Sequence, residues 1–222
     1  MASRHRRVGR RLDRHSQERL ALFRNMTMSL FERFGTNKEH ILTSIAKAKE
    51  VRSFAEKIVT LGIKCRRELD AAAKIAGFED AVALRKEHES SKKSFKKLLE
   101  TKSDDVKKKF NEHMSHSLHF RRLIVERLGT TTTPTHRAFE FREQGPRHER
   151  AIAKLVDEIA PRFIARSEEN PKNAGGYTRV LKTSSWVKGD GSTKALWGFI
   201  GGQIVRETPA ETADKKQTVG AK

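Results

Sequence analysis

Apolar residues recur along this chain at helical spacing in some stretches and vanish in others. Leu20, Phe23, Met26, Leu30 and Phe34 follow one another at intervals of three or four, which places them on one helix stripe ending near Gly35. Ser16 is the expected N-cap, with Glu18 in the first turn to meet the helix dipole. Residues 36–40 read as a polar loop, and HILTS (40–44) as a short strand. A second helix is predicted over about 45–64. Ala48, Val51, Ala55, Ile58, Val59 and Gly62 share its apolar face, while Lys49, Arg52 and Lys57 lie off that face. Lys47 projects towards the apolar side, so it either snorkels along the core or reaches a phosphate.

Residues 65–115 have a different character, with 13 basic and 10 acidic side chains. AAAKIAGFED predicts a helix stop at Gly77 and a restart after it. RKEHESSKKS (85–94) holds no apolar residue, so a helix there is exposed all round or breaks at Ser90–Ser91. Asp104 and Asp105 open a further helix, whose stripe runs through Val106, Phe110, Met114, Ser117, Arg121, Ile124 and Leu128. The expectation is an extended helical hairpin projecting from the main body.

Residues 129–145 read as a loop, with Pro146 opening a helix. That helix carries Ile152, Leu155, Val156 and Ile159 and is expected to stop at Pro161. Residues 170–176 are loop, 177–183 a strand, 188–191 a hairpin turn and 195–200 the returning strand. From residue 203 onward the chain is polar and reads as a disordered tail. The fold class is therefore α+β: helices layered on a small antiparallel sheet. The expected division is a basic arm (1–15), a core (16–64 and 116–202), an inserted helical hairpin (65–115) and the tail (203–222). The core segments are long enough for one ordinary hydrophobic core.

Charge changes the picture. The 222 residues hold 47 basic and 28 acidic side chains, a net charge of +19, with 36% hydrophobic and 7% aromatic residues. Self-repulsion of this size opposes compaction unless a partner neutralises it. Nucleic acid is the first candidate, an anionic membrane surface the second and acidic substrates the third. The arm concentrates the effect. Arg4, Arg6, Arg7, Arg10, Arg11 and Arg14 face one acid, Asp13, in a segment too poor in apolar surface to order itself alone. A single cysteine, Cys65, excludes an intramolecular disulfide and a cysteine-based zinc cluster, and points to a reducing compartment. No apolar run is long enough to span a membrane. The N-terminus lacks the apolar stretch of a secretory signal, and it has too few apolar residues for an amphipathic mitochondrial presequence.

Catalytic patterns are missing. His113, His116 and His119 are spaced by three, which makes a three-histidine zinc site conceivable. Histidines on a solvated basic helix are the simpler reading, and no metal is expected. Gly175–Gly176 leads into a strand rather than a helix, so it is not a phosphate cradle. Asp157 and Glu158 are ordinary polar-face residues. No HExxH, phosphate-loop or dinucleotide motif is present, and neither an enzyme nor a cofactor is expected. The arm's guanidiniums suit phosphate oxygens. Further basic residues fall at structured positions: Arg24, Lys47, Lys49, Arg52, Arg121, Arg122, Arg162 and Arg179. A basic surface on several sides suits a folded RNA that surrounds the protein better than one duplex face. Aromatic residues are sparse and mostly on helix stripes, so no base-stacking platform for single strands is indicated. An architectural DNA-binding protein is the alternative reading, and an RNA-processing metalloenzyme a third.

Five blocks then resemble one family. RHRRVGRRLDR with LALFRNM is similar to the start of bacterial-type large ribosomal subunit protein seventeen. AKAKEVRSFAEKIVTLG (46–62) resembles that family's AKAKELR…EKLITL signature, and SLHFRRLIVERL (117–128) its LHARR helix. IAPRF (159–163) and GGYTRVL (175–181) resemble its LAPRY and GGYTRI segments. The blocks stand in the family's order. The resemblance implies a two-layer α/β unit with no catalytic residues: a structural constituent of the large ribosomal subunit that supports translation. It implies binding to large-subunit rRNA near the peptide exit tunnel, beside neighbouring ribosomal proteins including numbers twenty-two and thirty-two. No membrane partner or small-molecule substrate is implied. The expected location is cytoplasmic, with an organellar ribosome left open. The rRNA-binding residues it implies are Arg4, His5, Arg6, Arg10, Arg11, Arg14, Arg24, Lys47, Lys49, Arg52, Arg121, Arg122 and Arg179, and Arg7 joins them as part of the arm. The chain departs from the family pattern in a longer loop before HILTS, in the hairpin at 65–115, in an expanded stretch at 130–148 and in the tail.

Overall fold

A computed structural model describes residues 9–90, 103–129, 146–169, 175–189 and 191–201. Arg4, His5, Arg6 and Arg7, the hairpin tip at 91–102, the loop at 130–145 and the tail lie outside the described residues.

Helix α1 (Ser16–Glu32) begins at Ser16 itself, so its cap lies one residue earlier than expected. His15 takes the N-cap position, and its main-chain N–H donates to Glu18 Oε2 at 3.4 Å. Of the expected stripe, Leu30 and Phe34 are buried, Phe23 and Met26 are half-buried and Leu20 stays 38% exposed, while Met28 and Phe31, off that stripe, are buried as well. Strand β1 (His40–Ser44) has the predicted bounds.

Helix α2 (Ile45–Ala76) does not stop near Lys64. Its buried face continues through Ile63, Cys65, Leu69, Ala72, Ala73 and Ala76, so the helix keeps burying apolar surface as it leaves the core. It ends where the sequence places the stop. Gly77 adopts φ +89°, a left-handed conformation that costs glycine little. That turn lets the Phe78 N–H reach the Ala73 carbonyl at 2.9 Å.

Helix α3 (Ala81–Ser90) follows, and α4 (Asp104–Leu128) runs back along α2. Ala72, Ala73, Ala76, Leu84 and Phe110 form a small satellite core, with Met114 packed against both it and the main core. The hairpin is also tied to the body electrostatically. Asp70 accepts from Arg66 Nε at 2.8 Å and from the N–H that opens α3, at Ala81. Arg85 on α3 donates to Asp157 at 2.8 Å.

Pro161 does not end the next helix. Helix α5 (Arg147–Lys154) passes through a π-helical turn (Leu155–Ile159) into α6 (Ala160–Glu169). Proline lacks the N–H for an interior bond, and its ring crowds the carbonyl four residues back. The widened turn immediately before Pro161 relieves that crowding, so the rod continues. α2 crosses this rod closely: a Cβ on Gly62 would lie 2.7 Å from Leu155 Cγ.

Strands β2 (Thr178–Trp186) and β3 (Thr193–Phe199) complete an antiparallel sheet of order β1-β3-β2. Ile41 and Val180 both pair with Trp197, and Thr178 pairs with Phe199. Alternation therefore turns Ala195, Trp197 and Phe199 towards the helices, where all three are 0% exposed. Phe34 meets Phe199 edge-on at 5.4 Å, and Phe163 meets Tyr177 at 5.0 Å. The expected α+β architecture of helices on a small sheet is thus observed.

Candidate nucleic-acid interface

Two carboxylates on α2, Glu50 and Glu56, tie the arm and the start of β2 to that helix. The arm enters α1 through a turn in which Leu12 and Asp13 both have positive φ, 55° and 53°, and the Arg14 N–H bonds the Arg11 carbonyl at 3.2 Å. Just upstream, the Arg10 main-chain N–H donates to Glu50 Oε2 at 3.0 Å. Arg19 reaches back from α1 to the Arg10 carbonyl at 3.1 Å. The arm therefore leaves the body beside Lys49 and Arg52, with Arg10, Arg11 and Arg14 exposed.

Glu56, the second carboxylate, takes Arg52 Nε at 3.0 Å and the Thr178 hydroxyl at 3.0 Å on the same oxygen. This joins α2 to the first residue of β2, next to the exposed Arg179. The arm and α2 thus bring Arg10, Lys49 and Arg52 together, and Glu56 ties the start of β2 to them, while Arg179, opposite Gly198, alternates to the sheet face turned away from the helices. Lys47 is half-buried, whereas Lys49 is exposed.

The remaining basic residues divide by what they touch. Arg121 and Arg122 are exposed on α4, and no described bond connects them to the arm–α2–β2 group. Arg24 turns inward. Its Nε donates to the Arg127 carbonyl at 2.9 Å and its Nη2 to the Glu126 carbonyl at 3.2 Å, satisfying acceptors that the end of α4 leaves open. Arg162 pairs with Glu39 at 2.9 Å and lies 5.1 Å from the Phe34 ring centroid. Arg147 forks onto both oxygens of Glu32 at 2.8 Å, which raises its already high pKa. Arg166 donates to the carbonyls of Gly175 and Gly176, which holds the approach to β2, and Gly176 takes φ +65°, a conformation that favours glycine.

Two of the three spaced histidines face one carboxylate. His113 Nδ1 lies 2.8 Å from Glu68 Oε2 and His116 Nδ1 lies 3.7 Å away. Among the described residues no group of three His, Cys, Asp or Glu side chains is placed to hold a metal ion. Cys65 is buried, its Sγ bonds the Ser117 carbonyl at 3.4 Å, and burial pushes its thiol up to about 11. No described helix is long and apolar enough to cross a membrane.

Sequence reasoning missed Glu50 and Glu56, because an acid in a basic helix looks like ordinary charge balance. It also missed Trp186, which is 68% exposed. The signal was present: this tryptophan sits in a polar run, SSWVK, rather than on an apolar stripe.

The comparisons with known proteins converge. Residues 22–200 match the family model described as ribosomal protein L17. A large ribosomal subunit protein bL17 from Lachnospira eligens is 32% identical over 86% of this chain and 98% of its own length. One from Rhodopirellula baltica is 30% identical over 89% of this chain and 81% of its own. A Thermus thermophilus bL17 is 28% identical over 87% and 95%. The matched span runs from α1 to the end of β3 and so takes in the sheet, the long helices and the α2 carboxylates that hold the arm; the chain belongs to the ribosomal protein L17 family.

Proposed function

We propose that this chain is a structural constituent of the large ribosomal subunit, and that its arm–α2–β2 surface binds large-subunit rRNA. Family membership supports the ribosomal role. The observation that carries the interface is the pair of α2 carboxylates: Glu50 fixes the root of the arm, and Glu56 holds Arg52 beside the start of β2. In this reading Arg4, His5, Arg6, Arg7, Arg10, Arg11 and Arg14 form the arm's contacts. Lys47, Lys49, Arg52 and Arg179 continue them on the body, and Arg121 and Arg122 add a separate contact on α4. Arg24 closes the end of α4, the helix that carries Arg121 and Arg122.

As a member of a ribosomal protein family the chain is not an enzyme, and nothing in the comparisons favours the architectural DNA-binding alternative. The finer expectations belong to the same proposal. They are a place near the peptide exit tunnel of a cytoplasmic ribosome, and neighbours that include ribosomal proteins twenty-two and thirty-two. The division into arm (1–15), core (16–64 and 116–202), insert (65–115) and tail (203–222) is part of it too. The insert, nearly balanced in charge, faces solvent or protein.

Co-sedimentation with separated subunits tests the role: the protein should travel with the large subunit and not the small. Binding to large-subunit rRNA should weaken steeply with salt, as phosphate contacts release counterions; six to ten such contacts on duplex DNA cost about 10³–10⁵-fold between 50 and 200 mM. Equal affinity at 50 and 300 mM salt, or displacement by duplex DNA as readily as by rRNA, would overturn the reading.

A further inference from the structure

The β2–β3 hairpin carries the molecule's two tryptophans in opposite states. Trp197, in the middle of β3, is 0% exposed, whereas Trp186, at the end of β2, is 68% exposed. The exposure is built in. The register slips between Lys182 and Trp186, so β2 carries extra residues opposite β3 at this point. Thr183 fixes the bulge by donating to the Lys194 carbonyl at 3.0 Å. The turn is closed by Val187 N–H to the Ser192 carbonyl at 2.9 Å. Trp186 therefore stands on a hydrogen-bonded support. Among the described residues its indole has no ring partner, cation or hydrogen-bond acceptor.

Its surroundings select the ligand. Lys182 and Lys188 are exposed on the same hairpin, and from 178 to 199 the sequence holds one acid, Asp190, against Arg179, Lys182, Lys188 and Lys194. Ser184, Ser185 and Gly189 are exposed as well, so no apolar rim surrounds the ring. A protein-binding anchor sits in a ring of contacts that excludes water. A lone aromatic face among lysines suits an unpaired base, whose face stacks on the ring while its phosphates meet the cations. We propose that Trp186 stacks on an unpaired base of large-subunit rRNA, with Lys182 and Lys188 on the adjoining phosphates. The proposal rests on the ribosomal reading above and adds a stacking contact, the mode that the sparse aromatics of the sequence argued against.

The two tryptophans make the test direct, because acrylamide reaches the emission of the exposed one and not of the buried one. The full chain is titrated with an in vitro transcript of large-subunit rRNA, and separately with a single-stranded 12-nucleotide RNA and its duplex. Expected results are loss of the acrylamide-accessible emission on rRNA and on the single strand, with little change on the duplex. Trp186→Leu should bind rRNA about 5- to 150-fold more weakly, the range for loss of one stacked base. Trp186→Phe, which keeps a π face, should retain most of the affinity. Emission from Trp197 that stays inaccessible in the leucine variant shows that the sheet is intact. The proposal falls if wild-type protein binds rRNA with Trp186 still accessible, or if the leucine variant binds as tightly as wild type. It also falls if Trp186 becomes shielded only when a second ribosomal protein is added. Failure of the wild-type chain to bind rRNA at all would remove the ribosomal reading along with it.

Discussion

Arg10 and Glu50, forty positions apart in sequence, meet through a main-chain N–H and a carboxylate oxygen at 3.0 Å. The contact uses the arginine's backbone, so its guanidinium stays available for another partner. Glu50 therefore fixes where the arm leaves the body without neutralising it by a side-chain pair. Glu50→Ala should leave thermal stability within about 0.5 kcal/mol, as exposed contacts usually do. It should hasten tryptic cleavage after Arg10, Arg11 and Arg14 in the RNA-free protein, followed by mass spectrometry. Unchanged cleavage rates would show that Glu50 does not hold the arm.

Arginines at the surface and arginines turned inward should respond to different measurements. Replacing Arg10, Arg11 and Arg14 together by alanine should lower the slope of log affinity against log salt by about two to three, given about 0.7–0.9 per phosphate contact. The melting temperature should hardly move. Arg24→Ala should do the reverse. It removes two hydrogen bonds from the end of α4, costs about 1–3 kcal/mol in denaturant unfolding, and leaves the salt slope near its original value.

Gly62 is the tightest crossing of α2 over the π-helical turn, where an added Cβ would lie 2.7 Å from Leu155 Cγ. Leu155 is fully buried, so it has little room to yield. Gly62→Ala should destabilise the fold by about 1–3 kcal/mol through overpacking, despite alanine's better helix propensity. A pairing with Leu155→Ala should recover part of that loss in a double-mutant cycle.

Cys65 gives the fold a pH dependence at the alkaline end. Burial holds its thiol neutral up to about 11, against 9.0 for an ordinary thiol. Above pH 9 the unfolded chain loses this proton while the folded chain keeps it, so the unfolded state gains. The thiol's contribution is fully present below pH 9 and declines between pH 9 and 11, by up to about 1.4 kcal/mol per pH unit. Cys65→Ala should be less stable at pH 7 but should lose stability less steeply over that window, as read from urea unfolding at a series of pH values. The native thiol should also resist alkylation at pH 8, and rapid modification would contradict its burial.

What the sequence made legible follows from how local each signal is. β1 was found at its true bounds because a polar loop and a helix start enclose five residues. The stop of α2 at Gly77 was legible, but the continuity of the helix past Lys64 was missed, because 64–68 are mostly charged and the buried positions beyond include small ones, Ala72, Ala73 and Ala76. Their burial depends on α3 and α4, which no single-helix pattern reveals. Pro161 misled because local chemistry favours a stop, and only the widened turn before it explains the continuation. At the interface, the arm could be read from composition alone. The inward turn of Arg24 could not, since its acceptors lie more than a hundred residues away. Glu50 and Glu56 became visible only once the arm and β2 were placed against α2.

The unbroken run of α2 from the core into residues beyond Lys64 gives the insert the properties of a lever. At about 1.5 Å per residue α2 runs roughly 18 Å beyond Lys64 as a single stiff rod. A rod that is also a screw links length to direction: one residue added or removed past Lys64 swings everything beyond it by about 100° around the helix axis. Whatever the hairpin reaches, its address is therefore written in residue count. Lengthening α2 and α4 by whole turns would move the tip outward on the same bearing, whereas any other change would point it elsewhere.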